Sequence, residues 1–598
     1  MFAKISFIFE QYFTLFVFVA AFYGYGKVAN AGLRVPVLSD AVLQAVLRIV
    51  LGMGVVIIAL QVLGLSGFLN RSAVQIVLII GLVIASIDFY EKTVNQIKQK
   101  KSRNTWYCLL VGVLFFALVA PTLALPLYPP VHWDDLMYHL PHVREWVQAE
   151  KITINEWLRY PYFPYNFNLL YVAGMAVGSE LNANMLHALA GWLIAILIFR
   201  LVEKNFGILP AVLATAIWVS VSQWLFQTSY IDLGAALFIF ASSISLMIWI
   251  REEDKKVQSP WLLVAAFFMG LAAGTKYQAF TYLPFFMVTV LWYERRIVVW
   301  MKIVLVFLLP CIFWYLRNGL LTGNPVNPLA GGVFGYFDWN QGDYDYQLFD
   351  LKNARNWPPK ALWAGLLLLF FPAAWRDKAV RWLMLLSIYA VLVWLVTSHY
   401  DRYLLPQYPV LAVLAALALY YAGSLVLSSK WKNAVHSIWH ESHRMSTAVL
   451  AVTALGFMVH AWPIAYRTFA AVPVTVQERH VYIYQRAMGF GLLLKLKLDF
   501  PGEKVYQVGL EGGIFYGPKP VYGDHFGPWR YRDFIYLPMQ ELHRKLMQHD
   551  FDILALSKAK AEEMERSPDF WKYFEKVAED NGDTAYLLWR GEKNEYSE

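Results

Sequence analysis

The chain has 598 residues, of which 58% are hydrophobic and only 16% charged, and its mean hydropathy is +0.43. These values exclude a soluble globular protein and predict a polytopic membrane protein. The formal net charge of +8 does not indicate a nucleic-acid partner, because the lysines and arginines fall in short clusters between apolar runs.

Apolar runs close to bilayer length predict the membrane spans. The first run carries Lys4 and Glu10 and has no small-residue cleavage site, so it predicts a retained helix and not a cleaved signal peptide. The predicted spans are residues 6–28, 43–66, 73–90, 105–126, 183–202, 208–226, 231–250, 259–274, 278–293, 298–317, 361–375, 381–397, 404–426 and 446–464.

Basic loops predict the orientation of these spans, because lysine and arginine favour the cytoplasmic side. The span order places every basic loop on one side of the membrane. These loops are KQKKSR (98–103), RLVEK (200–204), REEDKK (251–256), ERR (294–296), WRDKAVR (375–381) and SSKWK (428–432). The opposite, external side then receives residues 131–146, Asp232, Lys276, the 318–360 loop, HYDRY (399–403) and everything after about 465.

The stretch VHWDDLMYHLPHVREW (131–146) contains two adjacent carboxylates and three histidines beside predicted membrane segments. Polar groups at that density next to a bilayer are costly, so the stretch predicts a functional site. The polar residues recur at helical spacing, but proline fits the first turn of a helix better than its interior. We therefore expect an irregular acidic segment, Trp133 to Leu140, that leads into a short helix beginning near Pro141.

Asp134 and Asp135 have two interpretations. An acidic pair in an external loop can be solvated surface, whereas a carboxylate held at the membrane interface can accept a proton from an attacking hydroxyl. The flanking Trp133, Tyr138 and Trp146 suit an interface-lying segment and favour the second interpretation. For His132, His139 and His142 the spacing is no standard zinc signature, so structural hydrogen bonding is favoured over metal binding.

Cations on the predicted external face suggest an anion site. Lys276 lies in the turn GLAAGTKYQ (270–278) between two short apolar runs, where the alternative is a side chain that snorkels to the interface. Arg317, His399 and Arg402 are predicted on the same face, and such a set around a wet cavity would bind phosphate. Asp232 can be a helix cap, and Asn324 in RNGLLTGNPVNP (317–328) can be an ordinary turn residue.

The composition changes after about residue 470. KVYQVG, FDILALS and TAYLLWR predict strands, and residues 532–548 and 559–577 predict amphipathic helices, which together indicate a soluble α/β domain of about 120 residues. The glycines of GLEGGIFYG (509–517) match no nucleotide-binding fingerprint and are interpreted as turns. Cys108 and Cys311 fall in apolar runs and are interpreted as buried small residues.

The predicted organisation has three parts. Residues 1–104 form N-terminal transmembrane helices, and residues 105–465 form a transmembrane core with external loops 127–182 and 318–360. Residues 466–598 form the external, periplasmic α/β domain.

The order of these motifs resembles the GT-C superfamily of membrane glycosyltransferases, in the bacterial branch related to aminoarabinose transferases and protein O-mannosyltransferases. The resemblance covers residues 105 to 426. It rests on WDDLMYHLP, TSYIDL, GLAAGTKY, RNGLLTGNPVNP and DRYLLPQYP. The histidines around the acidic pair and the three additional N-terminal spans depart from the best-known relatives.

The resemblance implies an α-helical GT-C bundle in the inner membrane that transfers a sugar, with inversion, on the periplasmic face. The donor would be a polyprenyl-phosphate-linked sugar and the acceptor extracytoplasmic. Asp134 would be the catalytic carboxylate, with Asp135 as second candidate. Candidates to hold the donor phosphate are Lys276, Arg317, Arg402 and His399. Candidates for substrate contacts are Tyr138, His139, His142, Asp232 and Asn324. A divalent metal is left open, with Asp134, Asp135 and His139 as candidate ligands.

Two further functions are compatible with the sequence. A transporter or flippase of lipid-linked glycans would show internal repeats and broken helices at the membrane midplane, and no repeat is visible. A glycan polymerase or ligase would use a similar donor but transfer a whole glycan.

Overall fold

The computed structural model describes residues 2–98, 105–251, 255–354, 356–426 and 443–590. Within these ranges nine helices are long and apolar enough to cross a membrane, and a bent helix pair is a tenth candidate. The α-helices of the membrane part are α1 (Phe2–Gly32), α2 (Ala41–Ser66), α3 (Arg71–Lys98), α4 (Thr105–Leu123), α5 (Leu140–Ala149), α6 (Asn166–Val177), α7 (Leu181–Phe206), α8 (Ile208–Ser222), α9 (Asp232–Arg251), α10 (Lys255–Ala273), α11 (Ala279–Tyr293), α12 (Ile297–Leu308), α13 (Ile312–Thr322), α14 (Gly331–Phe334), α15 (Gln341–Asn353), α16 (Lys360–Trp363), α17 (Pro372–Arg376), α18 (Lys378–Thr397), α19 (Tyr408–Val426) and α20 (His443–Ala470).

A helix lies at each predicted span, but two spans are broken. Residues 298–317 form α12 and α13, which meet at 73°. Pro310 lies in the break and has no N–H to continue the helical hydrogen bonds. Residues 361–375 are divided among α16, a 3-10 helix (Ala364–Phe370) and α17, which starts at Pro372.

The core of the bundle is formed by α7, α9 and α19. In the most apolar window of each, 83% of the residues are buried, against 28% in α1 and α3. The outer helices therefore expose apolar side chains where lipid would contact them, as expected in a membrane.

Small residues let α1 and α2 approach closely. A Cβ atom on Gly52 would lie 1.7 Å from the Phe22 carbonyl oxygen, so the contact requires glycine there. Two charges that the sequence places in these helices, Lys27 and Arg48, have partners. Lys27 Nζ lies 2.7 Å from Asp88, and Arg48 donates to the Tyr23 hydroxyl at 3.3 Å.

Loops predicted to be cytoplasmic meet at one end of the bundle. Arg200 Nη2 lies 2.6 Å from Asp40 Oδ2, and Arg251 Nη2 lies 3.6 Å from Asp377 Oδ1. Arg251 Nη1 also donates to Asn205 Oδ1 at 3.3 Å, directly after RLVEK, so the RLVEK and WRDKAVR loops are at the same end, as predicted. The KQKKSR and SSKWK loops and residues 252–254 of REEDKK lie outside the described residues, except for Lys98 at the end of α3.

The acidic segment is helical, so the prediction of an irregular segment was wrong. Residues Asp135–His139 form a π-helical turn that runs directly into α5. The ring of Pro141 cannot donate a hydrogen bond and would clash with a carbonyl in a regular α-helix interior. The wider π turn accommodates it, and such turns are frequent at functional sites.

The C-terminal domain contains a five-stranded sheet in the order β2-β1-β3-β5-β4. β1 runs parallel to β2 and β3, and β5 is antiparallel to β3 and β4. The strands are β1 (Val505–Val508), β2 (Val521–Tyr522), β3 (Ile553–Leu556), β4 (Phe574–Asp580) and β5 (Asp583–Leu588). The helices of this part are α21 (Val476–Tyr484), α22 (Phe490–Asp499), α23 (Met539–Gln548) and α24 (Lys558–Met564).

The three predicted strands are confirmed as β1, β3 and β5, but the helix predicted at 559–577 is wrong in its second half. Residues Phe574–Asp580 form β4, which pairs with β5 across the two-residue turn Asn581–Gly582. Both turn residues have positive φ, 54° and 89°, as a tight hairpin requires. The helix predicted at 532–548 begins only at Met539, directly after Pro538.

Candidate active site

A cavity of about 700 Å³ lies between the external loops and the C-terminal domain. Its volume is in the range of small-molecule sites. Its wall includes Trp133 and Asp134 of the acidic segment, Arg402 of the HYDRY segment, Tyr346 of α15 and Glu511 of the C-terminal domain. Parts of the chain that are distant in sequence therefore converge on one hollow.

Asp134 and Arg402 form an ion pair in the wall of this cavity. Asp134 Oδ2 lies 2.6 Å from Arg402 Nη1, and the guanidinium lies 4.8 Å above the Tyr230 ring. Arg402 is in the 3-10 helix Asp401–Gln407 that precedes α19. A charged carboxylate is thus held at the cavity surface beside a fixed cation.

A second ion pair continues from the first. Asp232, at the start of α9, has Oδ1 at 2.8 Å from Lys276 Nζ and 3.9 Å from Arg402 Nε. Lys276 lies in the break between α10 and α11, with Nζ 5.2 Å above the Tyr403 ring. Arg402 therefore contacts both Asp134 and Asp232, and Lys276 contacts Asp232.

Asp135 differs from its neighbour in its surroundings. It is fully buried, its Oδ1 accepts a hydrogen bond from the Ser229 N–H at 2.7 Å, and its Oδ2 has no hydrogen-bond partner among the described residues. Burial raises its pKa well above the usual value, and the charge of Asp134 adds to this. The pair therefore consists of one partly exposed, ion-paired carboxylate and one buried carboxyl group with a raised pKa.

His139 and His142 are buried and hydrogen-bonded. His139 Nδ1 lies 3.2 Å from Asn168 Nδ2, and His142 Nε2 lies 2.9 Å from the Arg159 carbonyl oxygen. Burial lowers their pKa values to about 3 and about 4, so both imidazoles are neutral. His132 packs between the rings of Trp224 and Tyr230.

The predicted substrate contacts behind the acidic pair are not on the cavity surface. From this segment, Trp133, Asp134 and Met137 line the cavity, whereas Tyr138 is 8% exposed and packs edge-on against Tyr160.

In the described part of the chain, no group of three or more histidine, cysteine, aspartate or glutamate side chains could hold a metal ion.

Arg317 does not join Arg402 at the cavity, contrary to expectation. Its guanidinium bonds to Asn318 Oδ1 at 2.9 and 3.0 Å and stacks 5.0 Å from Trp314. The residue is 8% exposed. The guanidinium lies among aromatic side chains, so its charge does not act on Asp134 directly.

His399 and Asn324 also lie apart from the cavity. His399 Nε2 is 3.2 Å from the Leu395 carbonyl oxygen, and its ring contacts Trp394. Asn324 donates to the Leu329 carbonyl at 2.8 Å and accepts from the Val326 N–H at 3.0 Å. Both polar ends of Asn324 are therefore used to hold its own turn, as the turn interpretation predicted.

The C-terminal domain contributes cavity residues that the sequence did not single out. Glu511, His525 and Tyr531 line the same cavity as the acidic segment. Glu511 lies in the glycine-rich stretch that was interpreted as turns, and a Cβ on Gly512 would be 3.4 Å from the Trp133 ring. A carboxylate within a glycine-rich turn was the one signal that could have indicated a close approach to the site.

The helical bundle with its C-terminal domain has a GT-C-like fold. The structure is similar to ArnT from Cupriavidus metallidurans bound to undecaprenyl phosphate, with a TM-score of 0.51 and 15% identity over 81% of this chain and 98% of that chain. The apo state of the same protein gives a TM-score of 0.51 at 17% identity. This likeness confirms the GT-C fold.

The chain belongs to the family of the uncharacterized protein SF2093/S2215 of Shigella flexneri. The two are 30% identical over 201 residues, which cover 33% of this chain and 98% of that protein. Uncharacterized protein SF2092/S2214 of the same organism is 27% identical over 139 residues, 21% of this chain and 75% of its own length. Residues 11–150 match a domain of unknown function, DUF8201, and residues 478–587 match the family SF2091/S2213.

Proposed function

We propose that this protein is a membrane glycosyltransferase. It moves a sugar from a polyprenyl-phosphate-linked donor to an extracytoplasmic acceptor, with inversion, on the periplasmic face of the inner membrane. The observation that carries the proposal is the Asp134 carboxylate at the wall of a cavity, 2.6 Å from Arg402 and next to the Asp232–Lys276 pair. The shared fold with ArnT, solved with undecaprenyl phosphate, supports a lipid phosphate as donor.

In this reaction Asp134 acts as the base. An acceptor hydroxyl is a weak nucleophile at neutral pH, and a positioned carboxylate that takes its proton contributes about 10²- to 10⁴-fold. The hydroxyl oxygen forms a bond to the anomeric carbon as the bond from that carbon to the phosphate oxygen breaks. The proton ends on Asp134, and the electron pair leaves with the polyprenyl phosphate.

Arg402 and Lys276 stabilise the negative charge that develops on the departing phosphate. Both are already paired with carboxylates, so a donor phosphate competes with Asp134 for Arg402. Movement of Arg402 towards the phosphate would leave Asp134 less tightly paired and therefore a better base. Donor binding and activation of the base are coupled in this way.

The sequence left a divalent metal ion open, with Asp134, Asp135 and His139 as candidate ligands, but these three side chains do not form a group that could hold one as they are placed. At Asp134 such an ion would have to replace Arg402 as the counter-ion of the carboxylate. Loss of transfer in a chelator, and its recovery on adding a divalent cation, is the test for this cofactor.

The experiment compares cells that lack the protein with cells complemented by the wild type or by Asp134→Asn. Mass spectrometry of surface glycans and glycolipids should show a species one sugar lighter in the deletion strain and in the variant. Equal amounts of protein in the membrane control for insertion. Loss of a whole glycan would indicate a polymerase or ligase, and movement of a lipid-linked glycan across vesicles without acceptor would indicate a flippase.

A further inference from the structure

The C-terminal domain forms the cavity wall that faces the acidic segment. Glu511 lies at the start of the 3-10 turn Glu511–Tyr516, and Tyr531 starts another such turn. Together with His525 and Phe526 they line the same hollow as Asp134. A domain outside the membrane bundle therefore completes the site.

This wall is fastened to the membrane part by buried polar contacts. Arg159 Nη2 lies 2.6 Å from Asp524 Oδ1, with side chains 10% and 7% exposed. Arg144 donates to the Phe515 carbonyl oxygen at 2.6 Å, and the Tyr516 hydroxyl donates to the Pro130 carbonyl oxygen at 2.9 Å. The position of the wall relative to Asp134 is thus held from three points.

Three polar side chains of the domain line this wall, and two of them are hydrogen-bonded to each other. His525 Nδ1 lies 3.1 Å from the Tyr531 oxygen, and Glu511 lines the same hollow. If the ring donates through Nδ1 to this oxygen, its Nε2 is an acceptor. Within the described residues Nε2 is buried without a hydrogen-bond partner, although His525 lines the cavity. The wall therefore has an unused acceptor directly behind its surface.

The charges of this region do not favour an anionic ligand. Arg159 is neutralised by Asp524, and Asp343 pairs with both Arg530 and Arg532. Carboxylates remain beside the cavity at Glu511 and at Asp350, which accepts from the Tyr400 hydroxyl at 2.7 Å. In this region of the cavity the arginines named above are paired with carboxylates, while the Glu511 and Asp350 carboxylates can accept hydrogen bonds. This suits a ligand that donates hydroxyl protons.

Aromatic rings accompany these acceptors. Tyr346 and Phe526 line the cavity, and each packs against the His525 ring, at 4.7 and 5.1 Å between centroids. Flat apolar surfaces next to convergent carboxylate and phenol oxygens match a sugar ring, which has apolar C–H faces and hydroxyl edges.

A smaller cavity of about 290 Å³ adjoins Arg402 and indicates where the donor enters. Apolar residues of the bundle, including Val221, Leu225 and Leu405, line it, and it shares Trp224 and Arg402 with the main cavity. A lipid-borne donor reaches Arg402 from this membrane side. The wall made by the C-terminal domain is then left for the acceptor.

We propose that Glu511, His525 and Tyr531, with the rings of Tyr346 and Phe526, form the acceptor site, and that the acceptor is a neutral saccharide. This assignment rests on the proposed glycosyltransferase function. It makes the C-terminal domain the part that selects the acceptor, while Asp134 and Arg402 serve the donor and the chemistry.

The test is saturation-transfer NMR of the full chain in lipid nanodiscs with a panel of neutral methyl glycosides. The wild type should give saturation transfer to the sugar ring protons. Glu511→Gln and Tyr531→Phe should each reduce it at least fivefold. Glu562→Gln and Tyr536→Phe, two exposed positions of the same domain, are the matched controls and should leave it unchanged. Thermal unfolding of each variant checks folding.

Equal saturation transfer in Glu511→Gln, Tyr531→Phe and the wild type would overturn the assignment. Stronger saturation transfer to a serine-containing peptide or to a sugar phosphate than to the neutral glycosides would also overturn it. Asp134→Asn should keep glycoside binding while it loses sugar transfer. If Asp134→Asn transfers sugar normally, the proposed function fails whatever the binding result. If Glu511→Gln and Tyr531→Phe bind the glycosides as the wild type does, while Asp134→Asn loses sugar transfer, the acceptor assignment fails and the proposed function stands.

Discussion

Asp134 and Arg402 lie in different parts of the chain, yet Asp134 Oδ2 is 2.6 Å from Arg402 Nη1 at the surface of the external cavity. Arg402 also lies 3.9 Å from Asp232, so one guanidinium serves two carboxylates. A planar group with several donors can do this, whereas an ammonium acts as a single point charge.

Arg402→Gln should lower kcat for sugar transfer by about 10²- to 10³-fold, the usual cost of removing one group that stabilises transition-state charge. Arg402→Lys should retain part of the activity, because it keeps the charge but cannot contact both carboxylates. Steady-state transfer rates in membranes measure the effect. An unchanged kcat in Arg402→Gln would remove this residue from the reaction.

Two effects of the Lys276–Asp232 ion pair can be measured separately: its contribution to the free energy of unfolding and its contribution to donor binding. Lys276→Met leaves the Asp232 carboxylate buried, at 4% exposure, without its nearest cation, and such a break costs about 3–5 kcal/mol of unfolding free energy. The double variant Lys276→Met, Asp232→Asn should regain most of that stability but keep a raised donor KM. Denaturant unfolding and donor titration measure the two effects. Recovery of the donor KM in the double variant would contradict a phosphate role for Lys276.

The raised pKa of Asp135 predicts that the free energy of unfolding depends on pH. Its folded pKa is raised above the ordinary value of 3.8, so its stabilising contribution is present below pH 3.8 and is lost as pH rises towards the folded pKa. Asp135→Asn does not ionise and keeps an oxygen to accept from the Ser229 N–H. The variant should therefore match the wild type near pH 4 and become relatively more stable at higher pH. Thermal unfolding across this range is the measurement, and a constant difference at all pH values would contradict a neutral Asp135.

The Arg159–Asp524 ion pair predicts how firmly the C-terminal domain is attached. Both side chains are largely buried, so Arg159→Met should cost about 3–5 kcal/mol, because it leaves an unpaired carboxylate. Limited proteolysis should cut the domain faster in this variant. Adding Asp524→Leu should restore much of the resistance. Unchanged cleavage in Arg159→Met would mean that other contacts hold the domain.

The sequence predicted the membrane class, a helix at each apolar run and the strands β1, β3 and β5, because hydropathy and periodicity report directly on burial. It also placed Asp134, Asp232, Lys276 and Arg402 on one face. It could not predict that Arg317 packs on Trp314, since a small rotation of a helix decides whether a side chain faces a cavity or a neighbouring ring.

Two errors have specific physical causes. The charged residues near 575 suggested a helix, but the Asn581–Gly582 turn creates a hairpin with β5, and its sequence was a readable hairpin signal. Glu511 was missed because its place at the cavity depends on tertiary contact between a glycine-rich turn and Trp133, for which a carboxylate among glycines is only a weak local signal.

The most direct test of the account measures the release of polyprenyl phosphate from labelled undecaprenyl-phosphate-linked sugars in membranes that contain the protein and its acceptor. We expect release in the wild type and a loss of at least about 10²-fold in Asp134→Asn, because the acceptor hydroxyl then has no base. Release at the wild-type rate in correctly inserted Asp134→Asn would contradict it.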